Sequence, residues 1–364
     1  MTTSDIRGLR TSFTRDEYVS EGHFAVEMER IFSSSWCFAG LSQELSHVGD
    51  RLVVDVGNES ILIVRNKAGE LQAYYNVCQH RGSQLCDESG SGYGAAITCP
   101  YHAWSYSLDG NLVSAIHHEK EDFDRDCISL SRVRVGEWQG CIFVSLADDG
   151  PSLEDHLAGL YSAPKDLERF DIGSLVRAHH TVDEAQCNWK VLVENYSECL
   201  HCSVVHPEFC DLVPVYKTGR TIDADRDDWA ARLKTGASAI SFDSTSTLPL
   251  ISGMTEPLVY GAFVYPNMLI DVMPTCVALT RYVPRSSGHT TVHTDYLFPR
   301  EVVEDSSVDL GPTLSFNDLV NEQDIAVSER VQRGVQSKSF VRAHHTSMEK
   351  YAQQFVKRYR ADIA

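Results

Sequence analysis

No stretch of about 18 consecutive apolar residues occurs anywhere in the 364-residue chain, so nothing in it reads as a membrane-spanning helix. The opening residues, Met1 to Arg15, are polar and of mixed charge, without the apolar core of a secretory signal. The expectation is a cytoplasmic protein with no membrane attachment. Basic clusters are scarce too: 32 Lys and Arg stand against 51 Asp and Glu, a formal net charge of −19. Phosphate backbones are bound by clustered cations, which argues against a nucleic-acid partner. An acidic surface suits solubility or docking to a basic patch. There is no internal repeat and no G-x-G-x-x-G strand–turn–helix motif to hold a dinucleotide. Eleven cysteines, an odd number with no export signal, argue against a disulfide framework. Metal ligands and buried thiols are the expected uses of these sulfurs.

The hydrophobic pattern divides the chain. Tyr18–Ser35 has the apolar spacing of an amphipathic helix and belongs to an N-terminal helical segment, residues 1–44, expected to pack on the larger domain. Short β-branched or aromatic runs follow at Arg51–Val56, Ser60–Arg65, Leu71–Tyr75, Ile97–Thr98, Ser105–Leu108 and Cys141–Leu146. Turn signals such as Gly57-Asn58 and Asp109-Gly110 separate them. Residues 45–147 therefore read as a small all-β domain. Residues 148–364 mix helical periodicity, at Asn188–Val205, Asn317–Val335 and Ser347–Arg358, with strands at Gly261–Tyr265, Met268–Met273, Val277–Val283 and Thr290–Phe298. The fold class is α+β, with an antiparallel sheet covered by helices. The polar stretch Gly219–Pro257 reads as long loops over that sheet.

Two loops of the β domain carry metal-ligand chemistry. Cys78-Gln79-His80-Arg81-Gly82 and Cys99-Pro100-Tyr101-His102-Ala103-Trp104 each offer one thiol and one imidazole. Such pairs could hold tetrahedral zinc or a [2Fe–2S] cluster. A Rieske centre needs two thiolates on one iron and two imidazoles on the other, and two such loops supply that set.

A second cluster is spread more widely. Along Asn188–Val205, a helical projection puts Glu194, Glu198, His201 and Cys202 on one face. His206 precedes Pro207, which should end the helix there and let His206 turn back towards His201. On Asn317–Val335, Asp324 lies in a stripe with Val320, Val327, Val331 and Val335. An ionised Asp in an apolar stripe is costly unless it is paired or bound to a metal. Two His and one carboxylate would form the facial triad of non-haem Fe(II) oxygenases. Asn195 is read either beside that metal or bonded to the backbone. Cys199, Cys202 and Cys210 are expected to be buried thiols. The pairs His117-His118, His179-His180 and His344-His345 are poor chelates with surface roles, because neighbouring side chains diverge.

Both loops resemble the C-x-H-R-G and C-P-Y-H-x-W motifs of Rieske non-haem iron oxygenases. The stretch Glu194 to Pro207 is similar to the family's E-N-x-x-E-C-x-H-C-x3-H-P. Glu322-Gln323-Asp324-Ile325 resembles its last ligand region. The resemblance covers nearly the whole chain and is strongest to the oxygenases of carnitine, choline and glycine betaine. It implies a Rieske domain joined to a helix-grip, START-like catalytic domain. Cys78, His80, Cys99 and His102 would hold the [2Fe–2S] cluster, and His201, His206 and Asp324 a mononuclear Fe(II). Respiratory Rieske proteins bridge their two loops by a disulfide; Ser83 and Tyr101 stand at those positions here, which points to the oxygenase branch. Glu198 matches the acid linking the iron to the Rieske histidine of a neighbouring subunit, although many members have Asp there. Leu200 replaces a common Tyr.

The resemblance further implies a homotrimer and a separate flavin-containing reductase that delivers electrons from NAD(P)H. The expected reaction uses O2 to hydroxylate a small substrate, as in N-methyl hydroxylation of a quaternary ammonium compound. Tyr216, Trp229, Phe242, Tyr260, Phe263 and Tyr265 are candidates for cation–π contacts. Two alternatives stand beside this reading: hydroxylation or O-demethylation of an aromatic acid, and a Rieske electron carrier without catalytic iron.

Overall fold

The computed structural model describes residues 9–116, 123–158, 167–219, 231–232 and 248–364, with backbone only at 231–232. Their contacts group them into two units, Met28–His156 and a larger one formed by residues up to Glu27 together with Leu157–Ala364. Among the described residues no helix is long and apolar enough to cross a membrane.

In the smaller unit, the run Ile61-Leu62-Ile63-Val64 is fully buried, so the strand Glu59–Arg65 is covered on both faces. It pairs with Arg51–Val56 on one side and Leu71–Tyr75 on the other. The antiparallel sheet continues through Arg132–Trp138 and Cys141–Ser145 to Cys37–Leu41. A three-stranded sheet, Ala96–Thr98, Ser105–Ser107 and Leu112–Ser114, completes the unit. The predicted strands appear within a residue or so of their expected bounds. Cys37–Leu41, placed by the pattern in the N-terminal segment, instead forms the edge of this sheet. All five of its residues are buried, so no alternation marked it as a strand.

The expected helix Tyr18–Ser35 is broken into Arg15–Val19, Glu21–Glu27 and a π turn at Met28–Phe32. Its true start lies earlier than the apolar pattern suggested. Thr14 and Glu17 form a capping box that satisfies the first free backbone donors.

The larger unit is built on a six-stranded antiparallel sheet. Its order is Val176–Ala185, His289–Phe298, Val277–Ser286, Met268–Val272, Leu258–Val264 and Ala231–Arg232. The helices Trp189–Tyr196 and Gly311–Val335 contact it. The terminal helix Lys350–Ile363 buries Tyr351, Ala352, Phe355, Val356 and Tyr359, a stripe at helical spacing. Met348, inside the expected helical run Ser347–Arg358, precedes the helix and is exposed. The strand Arg342–His345 pairs with Arg10–Thr14 near the chain start.

The start of the Trp189–Tyr196 helix is anchored by a buried charge pair. Lys190 Nζ lies 2.5 Å from Glu27 Oε1, and both side chains are fully inaccessible. Glu27 also accepts from Trp189 Nε1 at 2.8 Å and from the Tyr359 hydroxyl at 2.6 Å. The Lys190 ammonium lies within 6 Å of the Phe13, Trp189 and Tyr359 rings. Burial pulls the Lys190 pKa down, and Glu27 opposes that pull. Removing one partner leaves a buried charge without compensation, which costs about 3–5 kcal/mol. Glu27→Ala should therefore lower the unfolding free energy by about that amount, read from urea denaturation. A Glu27→Gln, Lys190→Met double variant should lose clearly less.

Candidate functional site

The two cysteine–histidine loops lie at the strand ends of the smaller unit. Each is closed by backbone hydrogen bonds. Cys78 N–H donates to Ser83 O (2.8 Å) and Gly82 N–H to Cys78 O (3.0 Å), with Gly82 at φ +71°. In the second loop, Cys99 N–H donates to Trp104 O (2.8 Å) and Ala103 N–H to Cys99 O (3.1 Å). Cys78 and Cys99 belong to the same buried cluster as Leu62, Tyr74, Ile97 and Tyr106. The His80 and His102 ring centroids are 4.7 Å apart, and His80 stacks on Trp104.

These residues fit a [2Fe–2S] cluster. Two buried sulfurs and two adjacent imidazoles are brought together, and His102 Nδ1 is buried without a hydrogen-bond partner among the described residues. Donors also surround the sulfurs. Burial pushes the Cys99 thiol up, but N–H donors from Tyr101 and His102 and the neighbouring Cys78 and Ser83 outweigh it and leave it lowered. The Tyr106 hydroxyl accepts from Gln79 N–H (3.0 Å) and lies 3.3 Å from Cys78 Sγ, to which it donates when that sulfur is a thiolate. Tyr106 was read only as a strand residue; its role appears once the strand Ser105–Ser107 is placed behind the first loop. Burial raises the Cys78 thiol, with Tyr106 opposing.

The second cluster forms where a helix fails. The single helix expected over Asn188–Val205 stops at Tyr196, and a short one resumes at Cys202–Val205. Side chains between them capture backbone groups that a helix would use. Ser197 Oγ donates to Val193 O (2.6 Å), and the Glu198 carboxylate accepts from Leu200 N–H. The turn swings His201 inward. His206 sits at the next break, ahead of Pro207, which opens the helix Pro207–Leu212.

His201, His206 and Asp324 come together, their three potential ligand atoms all within 4.8 Å of one another. His206 Nε2 is 2.9 Å and His201 Nε2 3.4 Å from Asp324 Oδ1. Each histidine turns its other nitrogen to an acceptor: His201 Nδ1 donates to Glu198 Oε1 (2.7 Å) and His206 Nδ1 to Gln323 Oε1 (2.8 Å). That second contact fixes the tautomer which leaves Nε2 for a metal. Asn195 donates its amide to Asp324 Oδ1 at 2.6 Å, so its partner is a side chain rather than the backbone. Burial depresses the His201 pKa, but hydrogen bonds to Asp324 and Glu198 prevail and raise it to about 9. Burial would raise Asp324, yet the two histidines hold it at about 2. Two imidazoles and an ionised carboxylate on one side of a cavity fit mononuclear Fe(II).

Three expectations are corrected. Cys199 and Cys202 form a disulfide instead of two buried thiols, because the turn at Leu200-His201 brings their Cα atoms to 5.0 Å. Cys210 is a buried thiol. His345 is buried, with Nε2 2.9 Å from Glu194, and has no surface role. Val331 faces solvent, 43% exposed, because the helix Gly311–Val335 turns only part of the assumed stripe inward. His180 binds Asp295 at 2.8 Å. His117, His118, Trp229 and Phe242 lie outside the described residues.

The triad opens on a cavity of about 240 Å³ between the sheet and the helices Trp189–Tyr196 and Gly311–Val335. Phe209, Tyr216, Phe263, Tyr282 and Tyr296 are among its walls. Tyr260 packs instead on Phe170 and Arg169, and Tyr265 on Phe355 and Arg358. The wall also carries Asp271, whose Oδ1 accepts from the Tyr196 hydroxyl at 2.8 Å. Burial lifts the Asp271 carboxyl to about 7; Tyr196 works against this and Asp324 adds to it.

A two-loop cysteine–histidine site and a two-histidine, one-carboxylate site in one chain define a Rieske-type oxygenase. The family model of the Rieske [2Fe-2S] domain matches residues 35–128, and that of the ring hydroxylating alpha subunit (catalytic domain) matches residues 172–364. The chain belongs to the Rieske ring-hydroxylating oxygenases, as their oxygenase component. Among its relatives, the carnitine monooxygenase oxygenase subunit of Acinetobacter baumannii is 32% identical, with 90% of this chain and 86% of that one covered. The glycine betaine monooxygenase oxygenase subunit of Chromohalobacter salexigens is 31% identical, with 87% and 78% covered. The crystal structure of the quaternary ammonium Rieske monooxygenase CntA with L-carnitine superimposes with a TM-score of 0.76 at 28% identity, covering 97% of this chain and 96% of that one.

Two outcomes follow from the geometry. Asp324→Ala should abolish binding of the mononuclear iron and lower turnover at least about 100-fold, equal to about 2.7 kcal/mol. Iron analysis and the visible spectrum will report this, the cluster bands being retained. Tyr106→Phe removes a donor to Cys78 Sγ and should lower the cluster's reduction potential, measured by redox titration.

Proposed function

We propose that this oxygenase hydroxylates an N-methyl carbon of a small quaternary ammonium compound of the betaine, carnitine or choline type. The observation that carries the proposal is the aromatic-walled cavity opening on His201, His206 and Asp324. Aromatic faces attract quaternary ammonium ions, and the cavity is of a size for a small molecule. The named activities of the relatives agree with this reading. An aromatic acid would bring a further anion beside Glu198, Asp271 and Asp324 without the cation that a betaine or carnitine carries, and no Lys or Arg is among the described lining residues.

When bound, the cluster and the mononuclear iron supply the electron transfer and the O2 chemistry. One oxygen atom enters a C–H bond and the other leaves as water, with two electrons and two protons consumed. The hydroxymethyl ammonium then breaks its C–N bond. The electron pair passes to nitrogen, and formaldehyde and a proton are released. The chain's own residues position these events. Glu198 and Gln323 hold the Nδ1 protons of His201 and His206, and Asn195 holds Asp324 in place. The aromatic walls limit water at the substrate.

In the same proposal the chain works in the cytoplasm as a homotrimer. A separate flavin-containing reductase supplies electrons from NAD(P)H, and Glu198 links His201 to the cluster histidine of a neighbouring subunit. The functional test reconstitutes the holoenzyme with a flavin reductase and NADH and screens trimethylammonium compounds against aromatic acids. Stimulated O2 uptake with formaldehyde release is expected from the former; if none of them stimulates uptake, the reading is wrong. Glu198→Gln should cut turnover roughly 100-fold, about 2.7 kcal/mol, with both metal sites still loaded. Undiminished turnover would remove Glu198 from the electron path.

A further inference from the structure

Asp271 has no part in the triad, yet it faces the same cavity. On the strand Met268–Val272, alternation turns Leu269 and Asp271 to the cavity wall, and Met273 follows in step. Its cross-strand neighbours are Gly261 and Ala278, two of the smallest residues available. A Cβ added at Gly261 would come within 3.0 Å of Tyr196 Oη and 3.5 Å of Asp271 Oδ1. The small neighbours thus admit the Tyr196 hydroxyl beside this carboxylate, which also lines the cavity. Among the described residues Tyr196 is its hydrogen-bond partner, and no Lys or Arg lines the cavity. A carboxylate in such a place requires compensation by a proton or by a cation that arrives from outside. Consecutive residues of one helix bind the two acids: Asn195 holds Asp324 and Tyr196 holds Asp271. Asp271 and Asp324 both line the one cavity.

We infer that Asp271 is the counter-ion of the substrate's charged nitrogen. An alkylammonium group lies in the cavity with its charge on the Asp271 carboxylate and a methyl directed at the triad. This assignment rests on the quaternary ammonium reading and names the residue that selects for charge.

The test is equilibrium binding to the full, cluster-loaded chain by calorimetry. Choline is compared with 3,3-dimethylbutan-1-ol, its uncharged counterpart of the same shape. The native chain should bind choline at least about tenfold more tightly, which is about 1.4 kcal/mol. Asp271→Asn keeps the size and the contact to Tyr196 and should bring the ratio near one. Asp271→Glu should retain a preference for the cation. The cluster spectrum and melting temperature of each variant report folding. An unchanged ratio in Asp271→Asn, or no discrimination by the native chain, overturns the assignment. If the native chain oxidises a trimethylammonium compound while Asp271→Asn keeps the full preference, only the role of Asp271 has failed. If it oxidises none and binds neither probe, the functional reading has failed with it.

Discussion

The larger unit depends on keeping one carboxylate ionised inside a cavity. Asp324 stands where burial alone would favour its neutral form, and two imidazoles and an amide hold it charged. Such a group destabilises the fold unless each partner is held in place. The surrounding side chains meet that demand. Gln323 and Glu198 orient the imidazoles, and Asn195 comes from a helix fixed at its other end. The same demand makes the place suitable for a divalent metal, because the protons shared among these groups are what a cation would displace.

The helix Trp189–Tyr196 transmits this constraint to the rest of the unit. Asn188 caps it by accepting from Lys190 N–H, and its amide donates to the carbonyls of Tyr18 and Ser287. Glu27 and Lys190 lock the first turn against the terminal helix. Glu194 gathers Ser12 and Tyr18 from one part of the chain and His345 from another far along it. Eight residues therefore carry polar ties at both ends. The cost of so many buried polar groups is offset only if all are satisfied together, which ties the precision of the site to the integrity of the fold.

How much of this could be read in the sequence follows from how local each signal is. The cluster loops were legible because each places its thiol and imidazole two or three residues apart on a single turn. Asp324 was legible as a lone charge at helical spacing among valines. The break after Tyr196 was not, because periodicity describes only the helix and not its competitors, the Ser197 and Glu198 side chains. Tyr106, Gln323 and Asp271 take their roles from neighbours brought close by strand register or helix packing, which one sequence does not state. Asp271 did leave a trace, as the one charge in the run Met268-Leu269-Ile270-Asp271-Val272-Met273. The Cys199–Cys202 pairing was missed because a reading based on compartment outweighed the local spacing.

The two metal sites also divide their chemistry according to the donors each region can hold. Sulfur ligands need a buried setting with N–H and O–H donors, and the closely paired strands around Tyr106 provide it. An O2 site needs hard donors and room for substrate, which a packed β core does not leave. The broken helix of the larger unit supplies both, since each break frees a histidine and leaves space beside it. Thiols would be oxidised next to such a site; Cys199 and Cys202, on either side of His201, are joined in a disulfide and present none. The inward turn of His201 and His206 and the pairing of the adjoining sulfurs thus share one local cause, the helix breaks at residues 197–201 and at His206.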